Sequence, residues 1–207
     1  MRLFAIGDLH GCLSALQGLL LAVDLGPADR VVTLGDYINK GPDTKGVLDQ
    51  LIVLAQTGQL IALKGNHEFK MLAARTQQTF QLNDEVLLDR HTLASYGIVP
   101  ETAKPKQALA QIPDTHWQFV STQCRDWWES DQHIFTHANV DPLKPMAEQP
   151  ASKLFWEKFN NPQPHMSGIT LVCGHTRQKS GIPINLGHAS CIDSWACGSG
   201  WVTALEV

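Results

Sequence analysis

The 207-residue chain predicts an α/β fold, and three observations carry that prediction. Short apolar runs end in a glycine and a polar residue at Gly7-Asp8, Gly35-Asp36 and Gly65-Asn66. Positions 8, 36 and 66 are 28 and 30 residues apart, and a βαβ unit takes about 30 residues. Between the runs lie segments whose apolar residues recur at helical spacing, so strand, turn and helix alternate.

Leu3 to Ile6 reads as a buried strand ending at Gly7-Asp8. Leu13, Leu16, Leu20 and Val23 then give a helix its packed face. Val31 to Leu34 is a second strand, ending at Gly35-Asp36, and Gly41-Pro42-Asp43-Thr44 marks the start of a helix that buries Val47, Leu48, Leu51 and Leu54. Leu60 to Leu63 is the third strand, ending at Gly65-Asn66-His67. Residues 70 to 131 break the pattern: helix-rich, polar and interrupted by Gly97, Pro100, Pro105 and Pro113. They read as a helical cover over one end of the sheet, anchored to the core by the packing of Trp127-Trp128. Strand patterns resume at His133 to Thr136, which ends at His137-Ala138, and at Ile169 to Cys173, which ends at Gly174-His175-Thr176. Ser190 to Asp193 and Trp201 to Val207 read as closing strands, and Asp141 to Pro150 as a loop. With no repeat, low-complexity segment or linker, the expectation is one domain over 1–207.

Composition narrows the function. Net charge is −4 with 17% charged residues, so no general affinity for nucleic acid is expected. The five cysteines are an odd count without a CxxC pair, which fits a reducing compartment better than a disulfide framework. The first residues run straight into Gly7-Asp8 without a signal-type apolar region, and the longest apolar run, Leu19 to Val23, is too short to span a bilayer. A cytoplasmic protein with no membrane partner is expected; the sequence is silent on oligomeric state.

Asp8, His10, Asp36, Asn66, His137 and His175 form a mixed oxygen and nitrogen donor set at strand ends, where α/β proteins place their sites. A lone histidine is as a rule structural or solvated. Three in small-residue turns after strands, beside two aspartates and an asparagine, outweigh that reading. Carboxylate with imidazole suits manganese, iron or zinc and is too nitrogen-rich for calcium. One shared carboxylate can hold two ions about 3.5–4 Å apart, and Asp36, centrally placed, is the candidate bridge. Such a pair makes hydroxide available near neutral pH and neutralises phosphate oxygens, which favours phosphoester hydrolysis.

Gly-Asp-Leu-His-Gly (7–11), Gly-Asp-Tyr-Ile-Asn-Lys-Gly-Pro (35–42), Gly-Asn-His-Glu (65–68), His-Ala (137–138) and Gly-His (174–175) resemble, in order, the signature blocks of the PPP-type metallophosphoesterases. The compact length and Leu-Ala-Ser-Tyr-Gly (93–97) resemble the bacterial protein serine/threonine phosphatase branch; symmetrical diadenosine tetraphosphatases share the same blocks. The resemblance implies a central β-sandwich flanked by helices, the calcineurin-like metallophosphoesterase fold. It implies two divalent ions, manganese first and iron or zinc as alternatives, one held by Asp8, His10 and Asp36, the other by Asp36, Asn66, His137 and His175. His67 would be the general acid for the leaving oxygen.

Two positions depart from the phosphatase pattern, whose second block reads Gly-Asp-x-x-Asp-Arg-Gly. Asn39 stands where an aspartate partners the catalytic histidine, so His67 is expected to be protonated less readily; the tetraphosphatase relatives also lack that aspartate. Lys40 replaces an arginine that grips phosphate, giving a point charge instead of a fork. Lys158, in Leu-Phe-Trp-Glu-Lys-Phe (154–159), stands near the place of a second such arginine.

Four further residues are weaker candidates. Glu68 reads as a structural residue of the His67 turn, Cys173 as a buried strand cysteine, and His188 as a surface or supporting residue. Asp193 is either a turn residue or the group that orients His10 or His137. The leading expectation is a dinuclear enzyme for phosphoserine, phosphothreonine or small phosphomonoesters. The alternative is symmetrical hydrolysis of dinucleoside polyphosphates, because a nucleoside diphosphate leaves with less protonation than an alkoxide. A third reading, a catalytically weak phosphoprotein-binding module, rests on Asn39 and Lys40 and is opposed by the complete ligand set.

Overall fold

A computed structural model describes residues 1–207. The three expected units form β1 (Leu3–Ile6), α1 (Leu13–Val23), β2 (Arg30–Thr33), α2 (Thr44–Gln56), β3 (Leu60–Ala62) and α3 (Asn66–Gln77). β1, β2 and β3 are parallel neighbours. The last strand, β11 (Ala204–Glu206), adds antiparallel to β1 and completes a four-stranded sheet in the order β11-β1-β2-β3.

Chain continuing from α3 makes a short hairpin, β4 (Gln81–Leu82) and β5 (Glu85–Val86), then α4 (Arg90–Ser95), α5 (Pro105–Leu109) and α6 (Asp114–Gln118). The expected helical cover over 70–131 therefore holds a hairpin that was not foreseen. Its end is not cover at all: β6 (Trp127–Glu129) is the edge strand of a second sheet. That sheet runs β6-β7-β8-β10-β9, with β7 (His133–Thr136), β8 (Thr170–Cys173) and β10 (Ala189–Cys191) parallel, and β6 and β9 (Ile184–Asn185) antiparallel at the edges. Trp128 stacks on Phe135 at 5.4 Å between centroids, so the tryptophan pair anchors the region as expected, by joining the sheet. α7 (Ala151–Trp156) follows the proline-rich loop.

The two sheets pack face to face. Strand side chains alternate between faces, and Ala5, Val32 and Ile61 of the first sheet meet Phe135 and Val172 of the second, with Leu34, Leu63 and Ile192 sealing the ends. The intervening residues point outward: Ile6 and Val31 to α1 and α2, whose Leu16, Val47, Leu48 and Leu51 cover them, and Ile134 and Leu171 to Leu154 and Phe155 of α7. Strands buried on both faces read as continuous apolar runs, which is why the sequence shows no alternation there. Truncating Phe135 to alanine would cost about 3–5 kcal/mol. No helix is long and apolar enough to cross a membrane.

Candidate metal centre and substrate cavity

Every expected ligand lies in a turn at the carboxyl end of a strand: Asp8 and His10 after β1, Asp36 after β2, Asn66 at the start of α3 after β3, His137 after β7 and His175 after β8. The turns are sharp. His10, Asp36, Asn39, Lys40 and His175 all have positive φ, from 40° to 71°. Left-handed backbone at non-glycine residues persists only where the surroundings hold it. One of those holds is Glu68, which is fully buried. Its carboxylate accepts from the backbone N–H of Asp36 (2.7 Å), Tyr37 (2.8 Å) and Gly65 (2.8 Å), so one side chain ties the second turn to the third. Gly65 must be glycine because a Cβ there would strike the Asp36 backbone and carboxylate.

Three histidines have their tautomers fixed by backbone carbonyls. His10 Nδ1–H donates to Ile38 O (2.9 Å), His137 Nδ1–H to Leu34 O (2.8 Å), and His175 Nε2–H to Trp156 O (3.1 Å). A carbonyl only accepts, so the opposite ring nitrogen of each carries a lone pair, and all three lone pairs aim inward. His137 Nε2 lies 3.1 Å from His175 Nδ1 and 3.1 Å from Asn66 Oδ1, and His175 Nδ1 lies 3.2 Å from the same Oδ1. Asp36 Oδ1 is 3.4 Å from His137 Nε2. Four acceptors converge there, a donor set suited to a cation. Bonds of about 2.0–2.2 Å to one ion place neighbouring ligands near the observed spacing. Burial lowers His175 to about 3, with the same result: a neutral, ligand-ready imidazole.

On the other side of Asp36 the pattern changes. His10 Nε2 is 3.3 Å from Asp36 Oδ2 and 3.8 Å from Asp8 Oδ2. The ammonium of Lys40 donates to that same Nε2 at 2.7 Å. Asp8 is held by the His175 backbone N–H (3.0 Å); burial, with Asp193 and Asp36 nearby, pushes its carboxyl well above the usual range. Burial and Asp36 likewise raise Glu68 to about 8, against its three backbone donors. So much buried acid at one sheet edge fits bound cations.

His67 also approaches Asp36 Oδ2, at 3.9 Å, and proximity alone groups it with His10 and Asp36 as a cation cluster, beside the cluster of Asp36, His137 and His175. Its hydrogen bonds argue otherwise. Asn39 Oδ1 accepts from Asp89 N–H (2.9 Å) and Thr92 Oγ1 (3.0 Å), which fixes the amide. Nδ2 therefore faces Leu87 O (3.1 Å) and His67 Nδ1 (3.0 Å), donating to both. His67 Nδ1 is an acceptor, so Nε2 carries the hydrogen and offers no lone pair to a metal. Burial lowers His67 to about 3, with Asp36 opposing.

The family model for calcineurin-like phosphoesterases matches residues 1–179. The chain belongs to the calcineurin-like phosphoesterases. It is 38% identical over 150 residues to a symmetrical bis(5'-nucleosyl)-tetraphosphatase of a Janthinobacterium strain, covering 69% of this chain and 51% of that one. Among solved structures, a candidate diadenosine tetraphosphatase superposes with a TM-score of 0.68 at 22% identity, covering 100% of this chain and 92% of the other. A cold-active protein-tyrosine phosphatase of a psychrophilic Shewanella reaches 0.71 at 14% identity, covering 99% and 75%. Both structures show the fold alone. The chain spans from about a quarter to about half the length of the curated relatives it matches, 24% in a Ralstonia nicotianae tetraphosphatase and 51% in the Janthinobacterium one.

In this phosphoesterase a cavity of about 380 Å³ opens beside the centre, and Lys40, Lys158, Arg177 and Trp195 line it together with His10 and His175. Lys40 and Lys158, the two lysines expected from the sequence to bind phosphate, both line this cavity. Arg177 and Trp195 were missed, although Arg177 stands two residues past His175 and Trp195 two past Asp193. The lesser candidates resolve. Asp193 accepts from Trp195 N–H (3.0 Å) and orients neither His10 nor His137, whose Nδ1 groups use carbonyls. His188 donates to Pro162 O (2.8 Å), remote from the centre. Cys173 is fully buried in β8.

Proposed function

We propose that this phosphoesterase cleaves a phosphoanhydride of a dinucleoside polyphosphate, with symmetrical release of nucleoside diphosphates from a tetraphosphate. The observation that carries the reading is the Asn39 amide donating to His67 Nδ1. Protonated His67 would carry a hydrogen on Nδ1 and meet the Nδ2–H of Asn39. Turning the amide would abandon the bonds from Asp89 N–H and Thr92 Oγ1. His67 is thereby kept as a neutral hydrogen-bond donor, weak toward an alkoxide but adequate for a diphosphate leaving group, which needs little protonation. The curated relatives' names support the same substrate class.

In this reading Asp8, His10 and Asp36 hold one divalent cation and Asp36, Asn66, His137 and His175 the other, with manganese first and iron or zinc as alternatives. Asp36 sits between the two groups, Oδ2 toward His10 and Oδ1 toward His137. Two such ions, when bound, neutralise phosphate oxygens and acidify water. Lys40 and Lys158 hold non-bridging oxygens from the cavity side, and His67 Nε2–H steadies the departing oxygen.

The phosphoserine and phosphothreonine reading, first on sequence, has lost one support. The segment 93–97 resembles that branch, but the curated relatives carry the tetraphosphatase name; in the fold Leu93 is a core residue and Tyr96 hydrogen-bonds with His116 Nδ1 (2.8 Å). The test is to load the protein with Mn²⁺ and compare diadenosine tetraphosphate with a phosphothreonine peptide. ADP as sole product and a higher kcat/KM for the tetraphosphate are expected. Preference for the peptide, or AMP with ATP as products, would overturn the proposal.

A further inference from the structure

We propose that Trp195 is the nucleobase platform of the cavity, a specificity-determining residue that stacks the base of a nucleoside di- or polyphosphate while the cationic residues take its phosphates. This rests on the function proposed above and names the part of the substrate that the metal centre does not read.

Three observations converge on it. Trp195 lines the same cavity as His10, Lys40 and Lys158, so an aromatic ring and the phosphate-binding groups share one space. Its backbone is left-handed, φ 64°, a conformation that a bulky residue avoids and glycine adopts freely. The turn is nonetheless held around it: Asp193 Oδ1 accepts from Trp195 N–H (3.0 Å), and Trp195 O accepts from Gly198 N–H (3.0 Å) and Gly200 N–H (3.2 Å). Strain of this kind persists at ligand sites, and a turn needing only its backbone would be better served by glycine.

The ring is backed by its own loop and bears one loosely held side chain. A Cβ at Gly198 would run into the indole, so the Gly198 backbone supports that side directly. On the ring lies the guanidinium of Arg177, 5.5 Å from the centroid, looser than a stacked contact and carried by an exposed side chain. A base enters by displacing it, since cation–π and base–aromatic stacking use the same π face. Arg177 is then free to pair with the phosphate chain running back toward Lys40 and Lys158, where its fork suits phosphate oxygens.

The test measures affinity, not turnover, for two ligands that share a diphosphate and differ in the base: ADP and inorganic pyrophosphate, titrated calorimetrically into the Mn²⁺-loaded protein. Trp195→Gly is expected to weaken ADP by about tenfold, the effect of losing one base–aromatic stack, while pyrophosphate changes less than about twofold. Trp195→Phe retains most of the ADP affinity, and bound ADP quenches the intrinsic fluorescence of the wild type more than that of this variant. Arg177→Gln weakens pyrophosphate more than ADP, because the base then no longer has a guanidinium to displace from the ring. Equal losses of ADP and pyrophosphate in Trp195→Gly would reduce Trp195 to a structural role and overturn the proposal, as would unchanged ADP affinity. ADP binding that depends on Trp195 without hydrolysis of diadenosine tetraphosphate would sink the proposed reaction and leave this subsite standing. Hydrolysis indifferent to Trp195 would do the reverse.

Discussion

On the His137 side of Asp36, the ring nitrogens of His137 and His175 and the Asn66 oxygen converge within 3.1–3.2 Å of one another. On the His10 side an ammonium, that of Lys40, already stands among the donors. The two halves of one centre therefore differ in what a metal must do on arrival. In the first it relieves repulsion between acceptors. In the second it would compete with the Lys40 ammonium for His10 Nε2. The difference teaches that Lys40, which in the proposed function holds phosphate, also stands where it would compete with a metal for His10 Nε2, so the His137 half is expected to fill first.

The largest effect expected is from breaking the stronger half. His137→Ala should remove one of two bound Mn²⁺ per chain by calorimetry and lower kcat/KM by about 10²–10³ or more, the scale of losing a centre of transition-state charge stabilisation. Two ions retained at wild-type affinity would refute the ligand assignment. Next in size is Asn39→Asp, which gives His67 Nδ1–H an acceptor. Turnover of a phosphothreonine peptide should rise by about 10–100-fold relative to the tetraphosphate, since general acid catalysis is worth about 10²–10⁴; a uniform change across substrates would show that His67 is not the group involved. Lys40→Met sharpens the comparison directly. It should tighten the weaker metal step by about tenfold, near the worth of one charge contact at a partly exposed site, while raising KM.

The smallest effect is on stability against pH in the metal-free protein. His67 and His175 both have pKa values lowered to about 3 by burial, below the value of about 6.5 in an unfolded chain. The unfolded state thus binds protons that the folded state refuses. The contribution of these two histidines is fully present above about pH 6.5 and is lost as pH drops toward 3, whereas Glu68, raised to about 8, and Asp8, also raised, contribute in the opposite sense as pH rises. His67→Gln should therefore make the melting temperature fall less between pH 7 and 4 than in the wild type; an unchanged profile would contradict this. Bound Mn²⁺ should shift the His175 part of that loss to lower pH, because its Nδ1 is then occupied.

The sequence told most where chemistry coincides with a local signal. Asp8, Asp36 and Asn66 were legible because each closes an apolar run, and a glycine followed by a polar residue marks where a parallel strand stops. His137 and His175 followed by the same rule in the second sheet. The β4–β5 hairpin escaped because Gln81, Leu82, Glu85 and Val86 are all exposed and only two residues long per strand; its one signal was Asn83, with φ 52°, in the turn. Arg177 and Trp195 escaped for another reason. Neither follows a strand signature, and they meet only because the turn after β10 closes against the turn after β8. The role of Lys40 was read as phosphate binding alone, since its contact with His10 depends on two left-handed turns whose backbone no pattern announces.

Glu68 has a consequence for the order in which the molecule assembles. Its three bonds join residues no more than 32 positions apart, so the turn that presents Asp36 can form as soon as β3 docks on β2. His137 and His175 reach the same centre from 71 and 109 residues beyond Asn66. Contacts between near neighbours in sequence form faster than distant ones. A ribosome-bound chain that has emerged only through α3 thus owns a shaped half-site with Asp8, His10, Asp36 and Asn66 but without His137 and His175, and the centre becomes complete only when the second sheet arrives.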